Sequence, residues 1–214
     1  MKIKSIIGFI LSLIAVFGIN FIPLEMWLNR NFSGEYAMII YALENGFAII
    51  FAAIFVLLFA PKREQTDKVR SRWEILQAYL VVAVAFSVAS GIFIGFFTFL
   101  ILKVQIDFSA IKTAMMWIIG FQILEFFGDI LMLRPFSLKK TEFFLTRSLG
   151  RVFLLFLAVF IGFFLAAFVD RWFVVPFIVL KTISDIGQQI QIFTGAEKEP
   201  KNSFFNVQKK STNR

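Results

Sequence analysis

Long apolar runs decide what this chain can become. Residues 5–22, 36–60, 75–102, 111–133, 152–168 and 172–193 are each dominated by Ile, Leu, Val, Phe and Ala, and polar or charged connections separate them. A bilayer core takes about 20 apolar residues per helical crossing. Apolar runs of this length do not alternate as barrel strands do. The expectation is therefore an all-α bundle of six membrane spans, followed by a polar tail over residues 194–214.

Composition agrees. The 214 residues are 59% hydrophobic, above the roughly 45–50% of soluble domains, so no room is left for a separate soluble domain. Lys2 and Lys4 before the first run would suit a signal peptide, but no small-x-small cleavage site follows and further spans do. An uncleaved first helix is expected, its end passing into a polar connection over residues 20–34 that carries Pro23 and Glu25, and residues 134–148 are expected as a basic loop before the fifth span. The sequence contains neither Cys nor His. That removes disulfides, thiolate metal sites, cysteine nucleophiles and imidazole chemistry from consideration. No metal motif or cofactor motif is present, and no catalytic residue is assigned.

The net charge of +8 would suggest nucleic acid in a soluble protein, but its distribution here is topological. The N-terminus, the segment after the second span, the segment around Arg134–Arg151 and the tail hold seventeen of the Lys and Arg residues, while the opposite connections hold four. Basic loops stay in the cytoplasm. Both termini are thus expected on the cytoplasmic side of a prokaryotic inner membrane, with lipid and a membrane protein or a second copy as the expected partners, and no nucleic acid.

Polar residues inside the runs are the candidate site, because a charge at mid-membrane costs at least about 2.5 kcal/mol. Glu44-Asn45 interrupts the second span. Lys181 and Asp185, four residues apart in the sixth, share a helical face with Gln188 or Gln189, and Thr182 stands beside them. Lys181 and Glu44 lie at matched depth, about 13–14 Å from the outer side at 1.5 Å per residue, so an ion pair between them is expected. The fourth span adds Gln122, Glu125 and Asp129 on one face. Asp129, nearest the basic end, is expected in an interfacial bridge to Arg134 or Lys139.

Three readings of Glu44, Asn45, Glu125, Lys181 and Asp185 stay open. They form a buried network that sets helix register, a proton or cation relay, or an all-oxygen site for a hard cation. In the third span Ala83, Ser87, Gly91 and Gly95 recur every four residues, as small residues do where helices approach closely. Of the Trp residues, Trp27, Trp73 and Trp172 fall near span ends, where interfacial anchors belong.

Leu43-Glu44-Asn45, Arg151 with Gly162 eleven residues on, and Leu180-Lys181-Thr182-x-x-Asp185 are the motifs by which the chain resembles an uncharacterised prokaryotic membrane family, catalogued only as a domain of unknown function. The resemblance implies a shared polar set of Glu44, Asn45, Lys181, Thr182 and Asp185, and no activity. Ala42 stands where the family pattern has Trp, and Ser90, Phe156 and Gln189 stand near positions where it has His.

The leading functional expectation is a non-catalytic membrane component or accessory subunit. The alternative is a small transporter or proton-coupled carrier that uses Glu44, Lys181 and Asp185.

Overall fold

The computed structural model describes residues 2–30, 34–62, 71–96, 107–166 and 174–195. Six helices and no strands occur among them: α1 Lys2–Arg30, α2 Gly34–Phe59, α3 Arg72–Gly95, α4 Phe108–Leu133, α5 Leu138–Ala166 and α6 Val174–Gly195. The fold is all-α. Four helices, α1 to α4, are long and apolar enough to cross a bilayer.

Local chemistry fixes several ends. Ser71 and Glu74 form a reciprocal capping box that starts α3. Arg72 Nη1 donates to Leu57 O (3.3 Å) and Ala60 O (3.5 Å), which occupies carbonyls left open at the end of α2. Asp107 caps α4 through Ser109 N and Ala110 N, and its own backbone N–H donates to Tyr36 Oη at 2.8 Å. That last bond ties the start of α4 to the start of α2.

Two boundaries depart from the sequence expectation. Residues 20–34, expected as a polar connection, are helical as far as Arg30, and α1 runs through Pro23. Proline removes one i→i−4 bond, yet Ile19, Asn20 and Met26 on either side of it are buried and hold the helix together. Residues 134–148, expected as a basic loop, are helical from Leu138 onward. The reason is periodicity: Leu138, Thr141, Leu145, Leu149 and Val152 recur every three or four residues and are all buried. Their charged neighbours mask this stripe in a simple count of apolar residues. The tail from residue 196, the end of the third run from 97 to 102 and Trp172 lie outside the described residues.

Successive helices run antiparallel. Phe9 of α1 stacks on Phe193 of α6 with centroids 4.7 Å apart, and Phe59 of α2 meets Phe136, just before α5, at 5.1 Å. The start of α1 and the ends of α2, α4 and α6 therefore share one end of the bundle, with the starts of α3 and α5. Lipid tails are as apolar as Leu, so close packing and polar contacts hold such helices together. The α1–α4 seam, the most extensive in the bundle, depends on Gly8, Ser12 and Gly128. A Cβ on Gly8 would lie 2.6 Å from Gly128 O, and one on Gly128 would strike Ser12 Oγ and approach Gly8 O to 2.7 Å.

Apolar clusters occupy both ends. Phe55, Val56, Tyr79, Leu133, Leu138 and Leu145 belong to the one at the basic end. Toward the other end Met38, Tyr41, Ile94 and Ile178 form one cluster, and Met26, Ile40, Ala114 and Ile118 another. The polar residues lie between.

Candidate functional site

Along α2 the order is Tyr41, then Glu44-Asn45, then Ile49 and Ala52. Along α4 it is Ile118, then Gln122, Glu125 and Asp129, then Ile130. These helices place their carboxylates in the same middle layer, where α5 supplies Arg151 and α6 supplies Lys181, Asp185 and Gln189. Glu44, Asp185 and Gln189 are each no more than 3% exposed.

Lys181 Nζ lies 3.1 Å from both Glu44 carboxylate oxygens and donates to Asp185 Oδ2 at 2.8 Å. A longer bond, 3.3 Å, reaches Asn20 Oδ1, and the Nζ sits 4.7 Å above the Tyr41 ring. Asp185 is shared: Asn20 Nδ2 donates to its Oδ2 at 3.1 Å, and Arg151 Nε stands 3.2 Å from its Oδ1. Arg151 Nη2 then donates to Glu125 Oε1 at 2.7 Å, which also accepts from Gln189 Nε2 at 2.7 Å. The result is an alternating chain, Glu44–Lys181–Asp185–Arg151–Glu125, that crosses the bundle from α2 through α6 and α5 to α4. Each cation is shared by two carboxylates, so neither pair is separable from the rest.

Several expected residues act elsewhere. Asn45 points to α3, where its Nδ2 donates to Ser87 Oγ at 3.2 Å. Thr182 Oγ1 donates to Ile178 O, one turn back along its own helix, at 2.7 Å. The hard-cation set of Glu44, Asn45, Glu125 and Asp185 is not assembled, because Lys181 and Arg151 already engage three of these residues and Asn45 faces away. Gln122 Nε2 donates to Glu44 O at 2.8 Å, a direct α4–α2 tie. Of the α3 small residues, Ala83 is fully buried, whereas among the described residues a Cβ on Gly91 or Gly95 would meet nothing within 4 Å. The stripe is thus packed at one end and open at the other.

Asp129 is not interfacial. It is 6% exposed, and its Oδ1 has no hydrogen-bond partner among the described residues. Beside it is a cavity of about 50 Å3, which Gln122, Glu125, Arg147, Arg151 and Gln189 also line. That is room for a few waters or one small ion, and too little for an organic substrate.

Two residues of this network, one of them a hydrogen-bond partner of the ionic chain, lie outside the polar set expected from sequence. Asn20 falls in the stretch assigned to a connection, and Arg151 at a span edge is counted toward topology. A buried Asn in an apolar helix is a usable signal. For Arg151 the signal is its place on the buried stripe of α5, one residue before Val152 and two after Leu149.

No curated protein and no solved structure matches the chain. A family model described as a family of unknown function (DUF6498) matches residues 4–202. Nearly the whole sequence, all four helices of the ionic chain included, is thereby accounted for, and the protein belongs to the DUF6498 family.

Proposed function

We propose that this protein is a non-catalytic component of a prokaryotic inner membrane, an accessory subunit with six crossings and both termini in the cytoplasm. The observation that carries this reading is the closed ionic chain, in which the two cations and their carboxylates are engaged with one another. A network whose charges are paired with one another fixes which helices pair and in what register. It does not present a nucleophile, a base or a ligand to a substrate. On the outside, Val81, Val84, Val88 and Ile92 form an exposed apolar face of α3 next to the open Gly91. This is the face we assign to a partner helix.

The test is purification from native membranes in mild detergent, then native mass spectrometry. A stoichiometric partner lost on Gly91→Leu substitution supports the accessory role. A clean monomer that binds nothing at this face refutes it. The second reading, a small cation-coupled carrier, is favoured by the cavity beside Asp129. Cation-driven flux in reconstituted vesicles, abolished by Glu44→Gln in a protein that still folds, would establish the carrier instead.

A further inference from the structure

Among the described residues the buried polar layer holds four carboxylates, Glu44, Glu125, Asp129 and Asp185, and two cations, Lys181 and Arg151. Glu44, Glu125 and Asp185 each contact a cation. Asp129 does not: no ion pair to it occurs among the described residues, and its Oδ1 is an orphan acceptor. Two further orphan acceptors border the same cavity. Gln122 Oε1 is left over because its Nε2 is spent on Glu44 O, and Gln189 Oε1 because its Nε2 is spent on Glu125. Gln122 is 3% exposed and Gln189 1%. Orphaned buried acceptors are uncommon and call for an explanation.

We propose that this cavity is a binding site for a dehydrated monovalent cation the size of sodium, held by Asp129, Glu125 and the side-chain oxygens of Gln122 and Gln189. Three observations converge. The unsatisfied side-chain atoms of Asp129, Gln122 and Gln189 are all oxygens, and oxygen ligands suit hard cations. The four carboxylates of the layer outnumber its two cations by two, and one of these excess negative charges is Asp129, beside the cavity and without an ion pair among the described residues. The volume, about 50 Å3, fits one such ion with a water. The cavity reaches Arg147 and Ser148 on α5, on the side of the basic end. From that side the ion would enter, and Arg147 would set an electrostatic threshold. This goes beyond the structural role proposed above and holds whether or not the protein transports anything.

The experiment is thermal unfolding of the purified full-length protein in detergent with NaCl, KCl or choline chloride at equal ionic strength. An ion that binds only the folded state raises stability with ln(1 + [L]/Kd). At a hundredfold excess over Kd the melting temperature should rise by about 5–10 °C in NaCl relative to choline chloride. Asp129→Asn should remove that increment without lowering the melting temperature in choline chloride. Equal curves for wild type in the three salts would overturn the proposal, whether or not the variant folds. So would an increment that survives in Asp129→Asn. If instead the melting temperature is salt-independent but rises on acidification, and Asp129→Asn abolishes that rise, the occupant is a proton and the sodium site is refuted.

Discussion

Removing Lys181 and removing Glu44 should have very different consequences, although the two face each other across 3.1 Å. Lys181 contacts Glu44, Asp185 and Asn20, while among these groups Glu44 contacts only Lys181 through its carboxylate. At an effective dielectric of about 20, each of the two Lys181–carboxylate pairs is worth roughly 5–6 kcal/mol in gross attraction, most of it offset by desolvation. Charge counting decides the rest. The chain Glu44–Lys181–Asp185–Arg151–Glu125 carries a formal −1. Lys181→Met takes it to −2 and strips Glu44 of its cation, which should cost about 3–5 kcal/mol. Glu44→Gln takes it to zero and keeps a neutral acceptor near Nζ, while Asp185 still holds the lysine. Its cost should be under about 1.5 kcal/mol. The double variant returns to −1 with Asp185 still beside Arg151, so it should regain at least about 2 kcal/mol over Lys181→Met alone. Equilibrium unfolding in mixed micelles of dodecyl maltoside and SDS, followed by tryptophan fluorescence, measures all three. If Glu44→Gln costs as much as Lys181→Met, the shared-cation account is wrong and the two residues form an isolated pair.

Four further outcomes follow from named contacts. Gly128→Ala should destabilise by about 1–3 kcal/mol, since the new methyl meets Ser12 and the Gly8 backbone; the same unfolding assay reads it. Gly91→Ala, with nothing within 4 Å of its Cβ, should instead be neutral or up to about 1 kcal/mol stabilising in the isolated protein, while weakening any partner that docks there in pull-down. Ser71→Ala removes the capping box and should cost about 0.5–2 kcal/mol, with faster amide exchange confined to the first turn of α3. Arg151→Lys keeps the charge but cannot bridge Glu125 and Asp185 with separate nitrogens of one planar group; a loss of at least about 1 kcal/mol is expected, and no loss would show that only the charge matters.

The fold was largely legible because membrane spans announce themselves by length and composition. What escaped was helix outside the apolar runs. At α5 the signal was a 3.6-residue stripe, Leu138 to Val152, diluted by Lys139, Lys140, Arg147 and Arg151. A hydropathy count averages over faces and so cannot see it. At α1 the presence of Pro23 and Glu25 suggested a connection, yet tertiary burial of Met26 outweighs the proline penalty. The site shows the same division. Depth matching identifies residues at one level of the membrane, and it brings Glu44 and Lys181 together. It gives no azimuth around a helix, so Asn45 and Thr182, at the right depth, turn out to face α3 and their own backbone.

Azimuth also separates the two ways a charge can be tolerated in a bilayer. Lys181 and Arg151 are largely buried and each shared by two carboxylates, an arrangement that resists substitution because each cation and Asp185 stabilise two neighbours. Asp129 lies one turn beyond Glu125 on the same helix face, past the last cation of the chain. It bounds the cavity in company with two amide oxygens that have no donors among the described residues. A purely architectural layer would gain from a leucine at that position, since burying an unpaired carboxylate is costly and adds no helix–helix contact. Its placement next to a void that it shares with these two amide oxygens is therefore a feature that register alone does not explain, and Asp129→Leu separates the two accounts. If the layer only sets register, the variant should be at least as stable as wild type in every salt. If the cavity holds a cation, the variant should be at least as stable as wild type in choline chloride and fall below it in NaCl.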